Sequence, residues 1–520
     1  MERAGAHESM SLGLDLLPGL EASISCSPLG GAPMGPTLND LFFIELLNGG
    51  GRWDARSVLR DVTRFGYWAA AATLSRSRRL DRLFVEEHRG KVVCTSIGEQ
   101  SRFANLIGPV IRQLGAADVL VVSPSREVPP SFPGGVGFLS SRVLSYPPAR
   151  AWWPSYLSAA RRWSRELRAC RRLRGVSWRL GPRFHSVLLL AARRLVGFEL
   201  LLRELRPSAV VTEYDRNAFS APLILAARTL GIPTFTLLHG LISLPYGYTP
   251  LAAETVFVWG RHGKRTLTEL GVAPRRIVVG GCPLPRESGP ANRETTREAA
   301  GLPPARAVVL LATNPVRSRS RRRFVEAFCA AFAGDEQVSA VVRLHPSESL
   351  SFYSRERERF PGITFLENRR WSLAESLEAA DVVVCHNSGY GLDAMARGRP
   401  VVVLGATSEP LGGARAFVEE AGCPLVETGS ELAAVVGRIL GERGFRDGLL
   451  GKMAEFVGEM YESFGDDAAA RIAADIRSRA EEACSASPGA SVRRASQPVV
   501  SPEPPGGACE PSGKRRARSA

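Results

Sequence analysis

Lysine is nearly absent from this chain. Lys91, Lys264, Lys452 and Lys514 are the only ones in 520 residues, so almost all of the 67 basic side chains are arginines. With alanine, glycine and proline also abundant, this is the mark of GC-rich codon usage. It weakens the step from a net charge of +15 to a nucleic-acid ligand, and no specific nucleic-acid partner is expected. Paired cysteines are missing too. The nine cysteines are scattered without a C-x-x-C, which argues against a zinc site and fits a reducing compartment. Cys94 and Cys385 stand in apolar runs, where a thiol behaves as a small hydrophobe. No apolar run is long enough to span a bilayer; the best, 187–202, is broken by Arg193-Arg194. No charged segment leads into an apolar one near residue 1, so no signal peptide is expected. There is no P-loop and no G-x-S-x-G. A cytoplasmic location is the expectation, including a peripheral position at the inner face of the cell membrane.

What is present is enough for two or three domains, with 44% hydrophobic residues to build their cores. Residues 1–36 mix Gly, Pro and Ser and are expected to be disordered. So are residues 484–520, which end in Lys514-Arg-Arg-Ala-Arg518. Between them the chain divides into a first Rossmann-like domain (37–283), a linker rich in Pro, Arg and Glu (284–304), a second Rossmann-like domain (305–450) and C-terminal helices (451–483) that return toward the first domain. A helix is expected over 57–88. Within the first domain, 146–183 interleaves Trp152, Trp153, Tyr156, Trp163 and Trp178 with arginines. Such a stretch can lie on a membrane interface and hold a lipid-carried acceptor; the preferred reading is an insertion whose aromatics pack on the domain with the arginines in water.

The central signal is a series of short β-branched runs without alternation: Val92-Val-Cys, Val119-Leu-Val-Val, Ala209-Val-Val-Thr212, Thr234 to Leu238, Thr255-Val-Phe-Val, Ala307 to Leu311, Ser339 to Leu344, Asp381-Val-Val-Val-Cys and Val401-Val-Val-Leu. These are strands buried on both faces, and helical stretches separate them, so the fold class is α/β with parallel sheets. Ligands in such sheets bind outside the carboxyl ends of the strands. Ser96-Ile-Gly98, Glu213-Tyr-Asp215, His239-Gly240, Thr313-Asn314, Arg343-Leu-His345-Pro346 and Asn387-Ser388-Gly389 all stand there. A neutral imidazole at His345 can donate to a phosphate, and Pro346 restrains its direction. Asn387 and Ser388 at a helix start suit phosphate oxygens or a plain helix cap. Arg317 and its neighbours can offset charge on a leaving group.

Arg343-Leu-His345-Pro346, then Asn387-Ser388-Gly389 and Asp393-Ala-Met-Ala-Arg-Gly398-Arg-Pro400, resembles the C-terminal half of GT-B transferases of bacterial surface polysaccharides. These include capsule enzymes, CDP-glycerol glycerophosphotransferases and sialyl- and Kdo-transferases with an HP motif. The resemblance runs over about residues 205–445 and includes Gly231-Ile-Pro233, His239-Gly240 and Val279-Gly280-Gly-Cys-Pro283. It implies two Rossmann-like domains facing across a cleft. It also implies transfer of a sugar, or a glycerophosphate-like group, from a nucleotide donor to a hydroxyl of a glycan or lipid-linked acceptor in surface-polysaccharide synthesis. The donor residues would be His345, Ser388, Asn387, Arg343, Thr313, Asn314, Arg317, Gly389 and Asp393, the last where the family has a ribose-gripping Glu. Asp215, Glu213 and His239 would be candidates for the general base, with Asp215 preferred over Glu213. No D-x-D occurs, which agrees with metal-independent GT-B chemistry, and no cofactor is expected beyond the donor itself. The family reads Gln-His-Gly where this chain has Leu238-His239-Gly240. Two rivals share the layout: a UDP-sugar 2-epimerase, and a non-catalytic scaffold acting through 146–183.

Overall fold

In the computed structural model, each run of branched residues becomes a strand with both faces covered. The structure describes residues 80–95, 102–128, 130, 132–141, 177–215, 217, 219–242, 248–249, 251–284, 292–314, 318–346, 348–367, 370–386, 388–406 and 414–485, with scattered residues between 59 and 70 and between 153 and 161. The terminal segments 1–36 and 486–520, the loop 96–98 and most of 146–183 lie outside the described residues.

The first sheet holds seven strands: β1 (Val92–Thr95), β2 (Val119–Ser123), β3 (Gly137–Ser140), β4 (Val210–Thr212), β5 (Thr234–Leu237), β6 (Thr255–Val258) and β7 (Ile277–Val279). Their spatial order is β3-β2-β1-β4-β5-β6-β7, with every ladder parallel. The second sheet holds β8 (Ala307–Ala312), β9 (Val338–Arg343), β10 (Thr364–Leu366), β11 (Val382–Cys385), β12 (Val401–Leu404) and β13 (Leu425–Val426), in the order β10-β9-β8-β11-β12-β13. Both orders reverse beside their first strand, between β1 and β4 and between β8 and β11. That reversal opens the crevice where doubly wound sheets take ligands. The expected pair of parallel α/β domains is therefore what the chain forms.

The helices cover the sheets: α1 (Arg82–His88), α2 (Arg102–Leu114), α3 (Ser177–Leu205), α4 (Ser220–Thr229) and α5 (Arg261–Glu269) in the first domain. Then come α6 (Arg293–Ala299), α7 (Ser318–Phe332), α8 (Ser354–Arg359), α9 (Leu373–Ala379), α10 (Gly389–Met395), α11 (Ala414–Glu419) and α12 (Gly429–Gly441), and finally α13 (Arg443–Met460) and α14 (Gly465–Ser485). Two expectations change, and the aromatic stretch takes one of its two readings. The helix expected over 57–88 is interrupted, because Asp81 caps a fresh start at α1 by accepting the Leu83 N–H at 2.9 Å. The stretch read as a linker contains α6, whose Arg297 donates to the Ala379 carbonyl and to Asp381 beneath the second sheet. Of the aromatic stretch, Tyr156 and Ala160 are buried and Trp153 packs against the same apolar cluster. The Tyr156 hydroxyl meets His185 Nδ1 at 3.1 Å. Those side chains are spent on packing. Among the described residues no helix is long and apolar enough to cross a membrane.

The chain returns after α13. Residues 459–465 lie across the carboxyl ends of β6 and β7, and α14 then packs on α2 and the first sheet, where Ile472 and Ile476 join its core. Backbone bonds fix the crossing: Glu462 N–H to the Trp259 carbonyl (2.9 Å), Cys282 N–H to Ser463 (2.9 Å) and Gly465 N–H to Cys282 (2.9 Å). Glycine makes this possible. A Cβ at Gly260 would stand 2.5 Å from the Glu459 carbonyl oxygen. A Cβ at Gly281, where φ is +91°, would stand 2.2 Å from Ser463 Oγ and 2.7 Å from the Ala468 methyl. The Gly280-Gly-Cys-Pro motif is thus the seat of the returning chain. Gly281→Ala adds left-handed strain to overpacking and is expected to cost at least about 2 kcal/mol in urea denaturation. Gly451→Ala on α13, where a Cβ meets nothing within 4 Å, is expected to be neutral or to stabilise by up to about 1 kcal/mol. Equal effects of the two would contradict this reading of the seat.

Candidate functional site

At the carboxyl ends of β8 and β9 a knot of hydrogen bonds shapes the turn that carries His345. Thr313 follows β8, and its N–H donates to the Arg343 carbonyl at 3.1 Å. Its hydroxyl donates to Glu348 Oε2. The His345 N–H points at both Thr313 Oγ1 (2.8 Å) and Glu348 Oε2 (3.1 Å). The Glu348 N–H returns to the His345 carbonyl at 2.8 Å, and the Tyr353 hydroxyl donates to Glu348 Oε1 at 3.2 Å. Pro346 cannot donate, so it leaves this turn undisturbed. The His345 ring is only half-buried, and Asn314 lies half-buried just past Thr313. Burial lowers the His345 pKa; nearby Glu348 opposes this and Arg343 adds to it. The imidazole is therefore neutral at pH 7, with one nitrogen to donate and one to accept.

Beyond β11, Ser388 caps α10 by accepting the Tyr390 N–H at 3.2 Å. Gly389 is the first helical residue and Asp393 lies half-buried one turn on. The close fit of α10 needs Gly391, since a Cβ there would press on Cys385 Sγ at 2.8 Å and Phe417 at 2.9 Å. Arg343 sits beneath the site. It is 8% exposed, donates to the Trp371 carbonyl at 3.4 Å and lies 5.2 Å over the Tyr390 ring. Tyr390 in turn donates to Ser376 at 2.8 Å. Arg343 therefore braces β9 against α10. His386 is buried and its Nδ1 donates to the Leu404 carbonyl at 3.1 Å, a structural role. Asn387 and Arg317 lie outside the described residues.

In the first domain the three base candidates separate. Glu213 is fully buried and accepts the Thr95 hydroxyl at 2.9 Å; Thr95 Oγ1 also lies 3.3 Å from Ser220. Asp215 is 3% exposed, and its Oδ2 accepts the N–H groups of Ala252 (2.7 Å) and Ala253 (2.9 Å). That carboxylate holds the loop leading into β6. His239, after β5, is half-exposed between two tyrosines, edge-on to Tyr214 at 4.7 Å and stacked on Tyr248 at 4.9 Å and 9°. The Tyr248 hydroxyl donates to the Leu241 carbonyl at 3.2 Å. Of the three, only His239 is not buried.

Sequence reasoning missed Glu348, Tyr353, Tyr214 and Tyr248. Glu348 had a signal in His345-Pro-Ser-Glu348, a three-residue reach back to the strand end. Tyr248 had none, because its partner is nine residues away across a loop. Among the described residues no three of His, Cys, Asp and Glu gather as a metal-binding group. The described cysteines of the two sheets are buried and free. Burial pushes the Cys385 thiol up to about 12, and that of Cys94 further, so neither is a nucleophile at neutral pH.

No family model matches the chain. It is similar to a curated glycosyltransferase of Rubrobacter xylanophilus, UDP-N-acetylglucosamine–N-acetylmuramyl-(pentapeptide) pyrophosphoryl-undecaprenol N-acetylglucosamine transferase. The two are 33% identical over 223 residues, which is 42% of this chain and 60% of that protein. The match thus spans less than two thirds of that relative. Among solved structures, a UDP-GlcNAc 2-epimerase of Neisseria meningitidis bound to UDP-GlcNAc superposes with a TM-score of 0.46 at 13% identity. That match covers 75% of this chain and 99% of the other. A glycosyltransferase of Rickettsia africae gives 0.46 at 11% identity, covering 76% and 99%.

Burial also lowers the pKa of His185, and that of His262, whose Nε2 lies 3.2 Å from Glu420 of the second domain. Below about pH 6.5 the unfolded chain takes up protons at these two positions and at His345 that the folded chain refuses. Stability is therefore expected to fall as pH drops from 7.5 to 5.5. Urea midpoints at the two pH values check this; a midpoint that holds or rises at pH 5.5 would contradict it.

Proposed function

We propose that this chain is a transferase. It moves a sugar, or a glycerophosphate-like group, from a nucleotide-activated donor to a hydroxyl of a glycan or lipid-linked acceptor. The observation that carries the reading is the braced turn at the carboxyl ends of β8 and β9, which offers a neutral, half-exposed His345 on the same edge of the second sheet as the Ser388 cap of α10. The sequence similarity to a UDP-N-acetylglucosamine-dependent transferase supports it. In this reading the donor's phosphates meet the His345 imidazole and the Ser388 end of α10, and the donor is a substrate, so no resident cofactor is proposed.

The acceptor hydroxyl lies against His239. Its oxygen forms the new bond to the transferred group while the bond from that group to the donor phosphate breaks. The proton passes to the imidazole and the nucleotide leaves with the bonding pair. Asp215 and Glu213 are not assigned the base. One holds two backbone amides, the other a threonine hydroxyl, and both are shut from solvent. The same fact disfavours the epimerase reading, which needs first-domain carboxylates free to exchange protons with a sugar carbon.

A nucleotide panel (UDP, GDP, CDP, CMP, dTDP) in a thermal-shift assay checks the donor site. At one hundred times Kd, binding adds about 2.7 kcal/mol, so one nucleotide is expected to raise Tm by a few degrees in the wild type and not in His345→Ala. No shift from any nucleotide would sink the proposal. With a transferred donor in hand, His239→Ala is expected to lower kcat by about 10² to 10⁴. Asp215→Asn, which keeps an oxygen for the two amides, is expected to cost less than about tenfold. The reverse ranking would return the base to Asp215.

A further inference from the structure

We infer that Glu348 is a positioning residue of the nucleoside-phosphate site, and that it decides which group at the second sheet's switch point meets the phosphate. This rests on the donor reading above. Glu348 joins three elements through one carboxylate. Oε2 takes the Thr313 hydroxyl from the end of β8 and the His345 N–H from the end of β9, and Oε1 takes the Tyr353 hydroxyl ahead of α8. Because a carboxylate only accepts, the proton of Thr313 Oγ1 points inward to Glu348, with the Arg343 carbonyl 3.3 Å away as its other acceptor, and that oxygen offers one of its two lone pairs to the His345 N–H at 2.8 Å. Thr313 is 3% exposed and its donor is used up. A phosphate arriving at the switch point finds the imidazole of His345, held by its own backbone, and no hydroxyl from Thr313. The residue that reads as a ligand in the sequence is thus a strut, and the strut is set by a glutamate that the strand pattern does not reveal.

Two variants separate positioning from stability. Glu348→Met keeps much of the side chain's length but removes both acceptor oxygens, so the Thr313 hydroxyl and the His345 N–H lose their shared partner. Tyr353→Phe removes a bond to the same carboxylate from its other side and leaves His345 held. The readouts are hydrogen exchange of the His345 amide and the affinity of whichever of UDP, GDP, CDP, CMP or dTDP stabilises the wild type. Glu348→Met is expected to speed exchange and weaken nucleotide binding by at least about tenfold, and Tyr353→Phe to leave both within about twofold. Equal losses in the two variants would reduce Glu348 to a structural residue and overturn the inference. So would nucleotide binding by Glu348→Met at wild-type strength. Wild type that binds none of the five nucleotides overturns the donor reading itself, and with it the role given to Glu348.

Discussion

The structure depends on a return crossing. After α13 the chain runs back over the ends of β6 and β7 and lays α14 on the first sheet. The seat is made of places where no side chain exists: Gly260 against the carbonyls of Glu459 and Met460, Gly280 against Ile472, and Gly281 against Ser463 and Ala468. Trp259 stacks on Tyr461 at 5.6 Å, and Tyr461 packs on Phe464 at 4.3 Å. Beside this seam, His262 and Arg265 of α5 meet Glu420, and Arg261 meets Glu459 at 2.9 Å. His262 is buried and meets Glu420 through a hydrogen bond, while the exposed pairs of Arg265 and Arg261 contribute little each. Buried Trp259, the partly buried Tyr461 and Phe464 and the backbone bonds carry the junction, and one apolar cluster runs on from there into the core of the second sheet.

The two sheets solve a common problem in the same way. At the end of β1 and just past the end of β8 stands a threonine whose hydroxyl is donated to a glutamate from beyond a neighbouring strand: Thr95 to Glu213 in one domain, Thr313 to Glu348 in the other. A carboxylate at a strand end looks catalytic in a linear sequence. Here each accepts hydrogen bonds that would otherwise leave polar groups of the sheet edge unmet. What remains presented is imidazole. His239 stands between tyrosines on the first domain, and His345 stands on its braced turn on the second.

Much of this was legible from residue patterns. The interior strands announced themselves because a strand covered on both faces needs an unbroken branched run, as in Val382-Val-Val-Cys385 and Val401-Val-Val-Leu404. The edge strands β3, β10 and β13 did not. Gly137-Phe-Leu-Ser140 and Thr364-Phe-Leu366 are short and partly open, and Leu425-Val426 is two residues long, so none carries that run. Strand-end position located His345, Ser388 and His239. It could not tell a ligand from a brace, because Asp215, Glu213 and Arg343 have partners 28 to 118 residues away in other elements, and only the folded chain brings them together. Those same partnerships turn three apparent reagents into supports.

The central claim is that the second sheet's switch point holds the nucleotide. A crystal structure of the chain with the nucleotide that binds it tests this most directly. The account predicts a phosphate oxygen within hydrogen-bond reach of the His345 imidazole and the Ser388 end of α10, with Thr313 still turned toward Glu348. A nucleotide seated at the first sheet, among Thr95, Tyr214 and His239, would contradict it.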